Sequence, residues 1–149
     1  MSVIVICGGG GKTYISKKYN ELLDIDEFIW SIKNKKYHNE ILESIEKEDY
    51  NNLGEIYKTI LIENKKYLQN LKKIILVHSQ INAEWLDMKC LSIIKPQYNI
   101  FLHNIKNRND KLKKIAINNW NKLNNSIQYN SYEEFETIIK KLINNNGIQ

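Results

Sequence analysis

Four consecutive glycines, Gly8–Gly11, stand between an apolar run, Val3–Ile6, and a helical pattern that begins at Lys12. Glycine has no Cβ, so successive backbone N–H groups of such a loop can turn toward one anion. Lys12 and Thr13 follow the loop directly, where an ammonium and a hydroxyl can reach a bound phosphate and its metal ion. The segment therefore predicts a buried strand, an anion-binding loop and a helix, in that order.

Short apolar runs alternate with helical patterns along the rest of the chain, and this alternation is typical of a parallel sheet joined by helices. We expect five strands, at 3–6, 22–25, 73–78, 98–103 and 126–129. We expect helices at 12–20, 27–36, 38–47, 53–71, 86–94, 112–123 and 132–143. Ser131 and Glu134 form a capping box that begins the last helix. The chain is therefore expected to be one α/β domain, 1–149.

The composition excludes several classes of protein. Two cysteines, Cys7 and Cys90, are too few for a disulfide framework and favour a reducing compartment. No leader pattern and no apolar run of about 20 residues is apparent, so we expect a cytoplasmic protein that does not interact with membranes. Lysine outnumbers arginine 21 to 1, and Ile, Asn and Lys make up 67 of 149 residues. Their A/T-rich codons indicate an AT-rich genome, with a virus as one candidate source and the cytoplasm of its host as the compartment.

The net charge of +5 and the pI near 9.0 suit a protein that handles phosphates. The lysines are spread along the chain, so we expect most of them on solvated faces. The single arginine, Arg108, differs from them because its planar guanidinium can bridge two phosphate oxygens.

Two carboxylates, Asp24 and Asp26, come at the end of the predicted second strand. The carboxyl ends of parallel strands gather at one edge of the sheet, so both side chains are expected beside the glycine loop. Phosphoryl transfer needs one group that orients Mg²⁺ and one that positions or deprotonates the acceptor. The alternative for Asp26 is that it only caps the helix that follows.

The order strand, glycine loop, Lys12-Thr13 and helix, together with Asp24 and Asp26, resembles the small P-loop kinases, such as shikimate, gluconate, nucleoside and nucleotide kinases. The resemblance implies a three-layer sandwich with the strand order 2-3-1-4-5, an acceptor region at about 27–71 and a lid at about 104–123. It implies that ATP and Mg²⁺ are the cofactors.

The resemblance also implies a role for each site residue. Lys12, Asp24, Asp26 and Arg108 would be catalytic, and Thr13 with Asp24 would bind the metal. The lid would carry Arg108 together with Lys106, Lys111 and Lys113. ATP would be held by Gly8, Gly9, Gly10, Gly11, Lys12 and Thr13, and the segment 130–132 would lie near the adenine.

The expected function is ATP-dependent phosphoryl transfer to a small acceptor, with a nucleoside or nucleotide favoured. Phe28, Trp30 and Tyr37 are candidates for stacking on that acceptor, although helical spacing also fits a core role for Phe28. Two alternatives stay open. The single arginine, and His78 where many P-loop proteins have Asp, suit a catalytically degenerate nucleotide-binding module that acts through a partner. The basic pI suits a polynucleotide end kinase.

Overall fold

The computed structural model describes residues 1–146. A five-stranded, all-parallel sheet runs through the chain in the order β2-β3-β1-β4-β5. The strands are β1 (Ser2–Ile6), β2 (Leu22–Asp24), β3 (Ile74–Val77), β4 (Lys89–Pro96) and β5 (Ile127–Tyr129). The helices are α1 (Lys12–Lys18), α2 (Ile25–Ser31), α3 (Lys35–Glu46), α4 (Tyr50–Glu63), α5 (Lys65–Asn70), α6 (Gln80–Leu86), α7 (Tyr98–Ile105), α8 (Asp110–Lys122) and α9 (Tyr132–Asn145).

Helices cover both faces of this sheet. Successive side chains of a strand point to opposite faces, and in β1 every one of them is buried. Val3 and Val5 pack into a core that α2 to α8 cover, whereas Ile4 and Ile6 pack into a second core under α1 and α9. The expected three-layer α/β fold with the strand order 2-3-1-4-5 is confirmed. None of the described helices is both long and apolar enough to cross a bilayer.

The position of the fourth strand was predicted wrongly. The segment 98–103, expected to be that strand, lies in helix α7. The segment 86–94, expected to be a helix, contains the end of α6 and most of β4. Both segments are short apolar runs, and such runs fit a strand or a buried helix about equally well.

Tertiary pairing and a local cap explain this outcome. The strand β4 lies between β1 and β5 and pairs in parallel with each, with an irregular register between Val3 and Ile4 of β1. The Gln97 side chain then accepts a hydrogen bond from the Asn99 amide and begins α7 directly after the strand. Pairing with β1 and β5, rather than the spacing of apolar residues, therefore determines that the segment 89–96 is the fourth strand.

Other element ends differ in ways that matter for the site. β2 ends at Asp24, one residue earlier than predicted, and the Asp24 side chain caps α2 by accepting a hydrogen bond from the Asp26 amide at 3.0 Å. The cap of α2 is thus Asp24 rather than Asp26. The cap predicted for the last helix is confirmed, because the Ser131 hydroxyl accepts from the Glu134 amide at 3.2 Å.

Candidate active site

The glycine loop lies at the carboxyl end of β1, in the middle of the sheet. The Gly10 amide donates to the Cys7 carbonyl at 2.9 Å and closes the loop into a tight turn. Gly9 has a φ of 82°, and a Cβ there would lie 2.5 Å from Cγ2 of Ile105. A Cβ on Gly10 would lie 2.8 Å from the Cys7 carbonyl oxygen. Side chains are therefore excluded at these positions, and the backbone itself forms the loop surface.

Side chains from distant parts of the chain hold this loop. The Tyr129 hydroxyl, fully buried at the end of β5, donates to the Gly10 carbonyl at 2.8 Å. The Asn104 amide of α7 donates to the Gly9 carbonyl at 2.9 Å, and the Tyr132 hydroxyl donates to Asn104 at 3.2 Å. Two carbonyl oxygens that would repel a phosphate are thereby engaged by protein donors.

Lys12 is buried at the start of α1, with 5% of its side chain exposed. Its Nζ lies 3.3 Å from the Ile6 carbonyl oxygen, 3.3 Å from Nδ1 of His78 and 4.0 Å from Oδ2 of Asp26. An ammonium group only donates hydrogen bonds, so Nδ1 of His78 must be the acceptor. With Nδ1 as the acceptor, Nε2 carries a proton and donates to Oδ1 of Asp26 at 2.9 Å.

Asp26 is the most strongly perturbed acid of the site. Burial opposes its negative charge, but His78, Lys12 and the Tyr57 hydroxyl outweigh burial and hold the pKa of Asp26 well below its ordinary value of 3.8. The Tyr57 hydroxyl donates to the same Oδ1 at 3.1 Å, and burial together with this carboxylate raises the pKa of Tyr57. Asp26 is thus a carboxylate at neutral pH, oriented by hydrogen bonds from Tyr57 and His78, with the Lys12 ammonium 4.0 Å away.

Asp24 and Thr13 form the second polar pair. The Thr13 hydroxyl donates to Oδ2 of Asp24 at 3.0 Å, and Asp24 is 1% exposed. A hydroxyl next to carboxylate oxygens is the ligand chemistry that Mg²⁺ prefers, and Mg²⁺ takes its other ligands from water and phosphate. The described residues contain no cluster of three His, Cys, Asp or Glu that would bind a metal alone, so an ion at Thr13 and Asp24 would need water and phosphate as its other ligands.

A cavity of about 740 Å³ joins these groups to the helices on the α2–α8 face. Its volume lies within the range of small-molecule sites. All predicted site residues except the buried Gly10 line it, namely Gly8, Gly9, Gly11, Lys12, Thr13, Asp24, Asp26 and Arg108. An Nη of Arg108 lies 3.3 Å from the point that a Cβ on Gly8 would occupy. The guanidinium therefore faces the glycine loop from the segment between α7 and α8.

Other predicted contacts do not form at this cavity. Lys106, Lys111 and Lys113 of the expected lid do not line it, and Lys111 instead pairs with Glu46 of α3 at 2.9 Å. A second lysine of α8, Lys114, pairs with Glu48 at 2.9 Å. These two ion pairs join α8 to the end of α3, and α8 itself lines the cavity through residues such as Leu112 and Ala116.

The three candidate stacking residues also separate. Trp30 lines the cavity and is 43% exposed. Phe28 stacks on Tyr67 instead, with ring centroids 5.7 Å apart, and the Tyr37 hydroxyl donates to Glu63. Of the predicted aromatic contacts to an acceptor, only the one from Trp30 is geometrically available.

Sequence reasoning missed the residues that orient the predicted ones. Tyr57, Asn104 and Tyr129 lie far along the chain from their partners, and no local pattern marks them. His78 was predicted either to contact phosphate or a magnesium-bound water or to be a polar residue that ends the third strand, and its contacts to Lys12 and Asp26 were not predicted. Its position at the carboxyl edge of a central strand is the one signal that pointed to the site.

Comparison with protein-family models, curated proteins and solved structures finds no match to the chain.

Proposed function

We propose that the chain is a P-loop kinase that transfers a phosphoryl group from ATP, with Mg²⁺, to a small acceptor such as a nucleoside or nucleotide. One observation carries this proposal. A glycine loop with a buried lysine, a Thr–Asp pair with the donor chemistry for Mg²⁺ and an oriented carboxylate line one cavity at the carboxyl edge of a parallel sheet. Phosphoryl transfer needs these three groups more than it needs covalent chemistry, because positioning and charge supply most of the catalysis.

The position of each site residue determines its role in binding ATP and Mg²⁺. Lys12 exchanges its contacts to Ile6 and His78 for the β and γ phosphates. Thr13 and Asp24 hold Mg²⁺, and Arg108 places its guanidinium over the loop at Gly8. When bound, ATP supplies the phosphoryl group and Mg²⁺ neutralises its charge.

Asp26 accepts a hydrogen bond from the acceptor hydroxyl and aims its oxygen at the phosphorus. His78 and Tyr57 hold Oδ1 of this carboxylate, which leaves Oδ2 to the acceptor once Lys12 turns to the phosphates. The depressed pKa keeps Asp26 in the accepting form over the whole neutral range.

The setting favours a small acceptor in a reducing compartment. Lys111 and Lys114 of α8 are paired with glutamates rather than presented to a polynucleotide. Both cysteines are free thiols, which suits the cytoplasm, or a host cytoplasm if the gene is viral.

The first experiment tests nucleotide binding. MgATP at millimolar concentration should raise the melting temperature of the wild type by mass action, and Lys12→Met should lose most of that shift. Lys17→Met is the matched control, because Lys17 is exposed on the same helix and does not line the cavity. The absence of a shift with every nucleoside triphosphate would remove the proposal.

The second experiment separates an enzyme from a binding module. ADP release is measured with a panel of nucleosides, nucleoside monophosphates and sugar acids. Asp24→Asn should lower turnover by about a hundredfold or more with a modest loss of ATP affinity, because its charge matters most in the transition state. If ATP binds but no acceptor stimulates ADP release, the chain is instead a catalytically degenerate nucleotide-binding module that acts through a partner.

A further inference from the structure

The half of the cavity beyond Asp26 is apolar and aromatic. Its wall comes from α2, α3, α4 and α6, and includes Trp30, Ile45, Tyr50, Leu53, Tyr57 and Trp85. We call this half the acceptor wall. Aromatic faces at this density suit a planar ring, because stacking adds to the burial of apolar area.

Cations are missing from the acceptor wall. In the described chain, no Lys or Arg between residues 25 and 86 lines the cavity. The cationic side chains that do line it are Lys12, Arg108 and Lys122, which belong to α1, the segment before α8 and α8 itself. A phosphate on the acceptor would thus lie near the Asp26 carboxylate with no cation of the wall beside it. An uncharged acceptor avoids this repulsion.

Gly54 also belongs to the acceptor wall, and no packing contact of the described protein accounts for a glycine at this position. It is the only glycine outside the loop and position 147, and it lies inside helix α4, where glycine is less stable than alanine. A Cβ on Gly54 would meet no protein atom within 4 Å. No steric demand of the described protein requires glycine here, and Gly54 is an exposed residue that lines the cavity.

Two tyrosines border this gap on the same face of α4. Tyr50 lies four residues before Gly54 and Tyr57 three residues after it, and both line the cavity. The Tyr57 side chain extends from the helix backbone to Asp26, and its hydroxyl lies 3.1 Å from Oδ1 of that carboxylate. A molecule that lies on the α4 backbone at Gly54 and along the Tyr57 ring is therefore next to the Asp26 carboxylate.

We propose that the acceptor is an uncharged alcohol with a planar ring, of the nucleoside class, and that its ring lies on the α4 backbone at Gly54 between Tyr50 and Tyr57. Its hydroxyl then reaches Asp26. This inference rests on the proposed kinase function and chooses nucleosides over nucleoside monophosphates. In the reaction the hydroxyl oxygen forms a bond to the γ-phosphorus, the bond from that phosphorus to the ADP oxygen breaks, and the hydroxyl proton passes to solvent.

The test uses Gly54→Ala and Gly54→Leu in the full chain. Asn51→Ala is the matched control, since it also raises helix propensity in α4 but at an exposed position outside the cavity. The probes are thymidine, deoxycytidine, adenosine and guanosine, their 5′-monophosphates, and gluconate as a ring-free alcohol. Their affinities are measured by calorimetry with and without MgADP, alongside acceptor KM and the thermal shift with MgATP.

We expect at least one nucleoside to bind the wild type more than tenfold more tightly than its monophosphate and than gluconate. Gly54→Ala should raise the melting temperature by about 2–4 °C, as a helix-stabilising change does, and yet weaken nucleoside binding about tenfold. Gly54→Leu should abolish nucleoside binding, and both variants should keep the thermal shift with MgATP. Asn51→Ala should leave nucleoside affinity unchanged.

The inference is overturned if no nucleoside binds, if monophosphates bind as tightly as nucleosides, or if both Gly54 variants keep wild-type nucleoside affinity. Failure of the proposed function looks different. In that case the wild type shows no thermal shift with MgATP or no ADP release, while the calorimetric comparison still decides whether Gly54 seats a nucleoside.

Discussion

Replacing Tyr129 by phenylalanine removes one hydroxyl group and leaves the ring in place. The ring stacks on Phe135 with centroids 4.6 Å apart, and Phe keeps that contact. What is lost is the 2.8 Å hydrogen bond from the Tyr129 hydroxyl to the Gly10 carbonyl. Both partners are buried, so the Gly10 carbonyl loses its donor in a place where water does not readily replace it.

The size of the effect follows from this burial. Leaving a buried acceptor unsatisfied costs about 1–3 kcal/mol. For a chain of this length each kcal/mol corresponds to about 2–4 °C, so the melting temperature should fall by about 2–12 °C. Burial raises the pKa of Tyr129 well above its ordinary value, so the hydroxyl keeps its proton and the effect should not depend on pH below 9.

The same change should weaken ATP binding, because the Gly10 peptide belongs to the loop. A hydrogen bond contributes about 0.5–1.5 kcal/mol net, which corresponds to about a twofold to tenfold loss of affinity if it holds the loop ready for phosphate. Urea denaturation gives the stability change and calorimetry gives the Kd for MgATP. The matched control is Tyr37→Phe, which removes an exposed hydrogen bond to Glu63 and should cost under about 1 kcal/mol.

Two results would refute this reasoning. If Tyr129→Phe is as stable as Tyr37→Phe, the buried hydrogen bond contributes nothing to the fold. If stability falls as expected but the Kd for MgATP stays the same, the hydroxyl supports the core only, and the loop does not depend on it.

Three further predictions concern the site. Burial opposes the negative charge on Asp26, but the contact with His78 outweighs burial and holds the pKa of Asp26 below 3.8. The wild type should therefore be more stable than Asp26→Asn by its full margin above pH 5, and this margin should shrink as the pH falls toward 3. Urea midpoints from pH 7 to 3 measure the margin, and a constant difference would contradict the prediction. Arg108→Lys keeps the charge and removes the planar guanidinium. Turnover should therefore fall about tenfold, which corresponds to about 1.4 kcal/mol in the activation free energy, with the melting temperature unchanged. Unchanged kinetics would show that Arg108 has no role in the reaction. Burial raises the pKa of the Cys7 thiol to about 11. Iodoacetamide at pH 8 should therefore label only the partly exposed Cys90 until urea unfolds the protein. Equal labelling of both thiols in the native protein would show that the loop opens.

The sequence by itself determined the elements that local physics specifies. A glycine run between an apolar strand and Lys12 predicts a tight loop at the end of that strand, and the Gly10 amide closes such a loop by donating to the Cys7 carbonyl. Alternation of apolar runs and helices favours a parallel sheet, because parallel neighbours need a crossover connection and that connection is usually a helix. Asp24 and Asp26 were found because residues at the carboxyl ends of parallel strands share one edge.

Only the tertiary structure decided which apolar run becomes the fourth strand and what holds the site residues in place. The segments 89–96 and 98–105 are both short and apolar, and pairing with β1 selects the first. The hydroxyl that holds Gly10 lies 119 residues away, and the imidazole that holds Asp26 lies 52 residues away. Such contacts depend on where the folded sheet brings distant strand ends together, and this meeting of strand ends leaves no period or motif in the sequence.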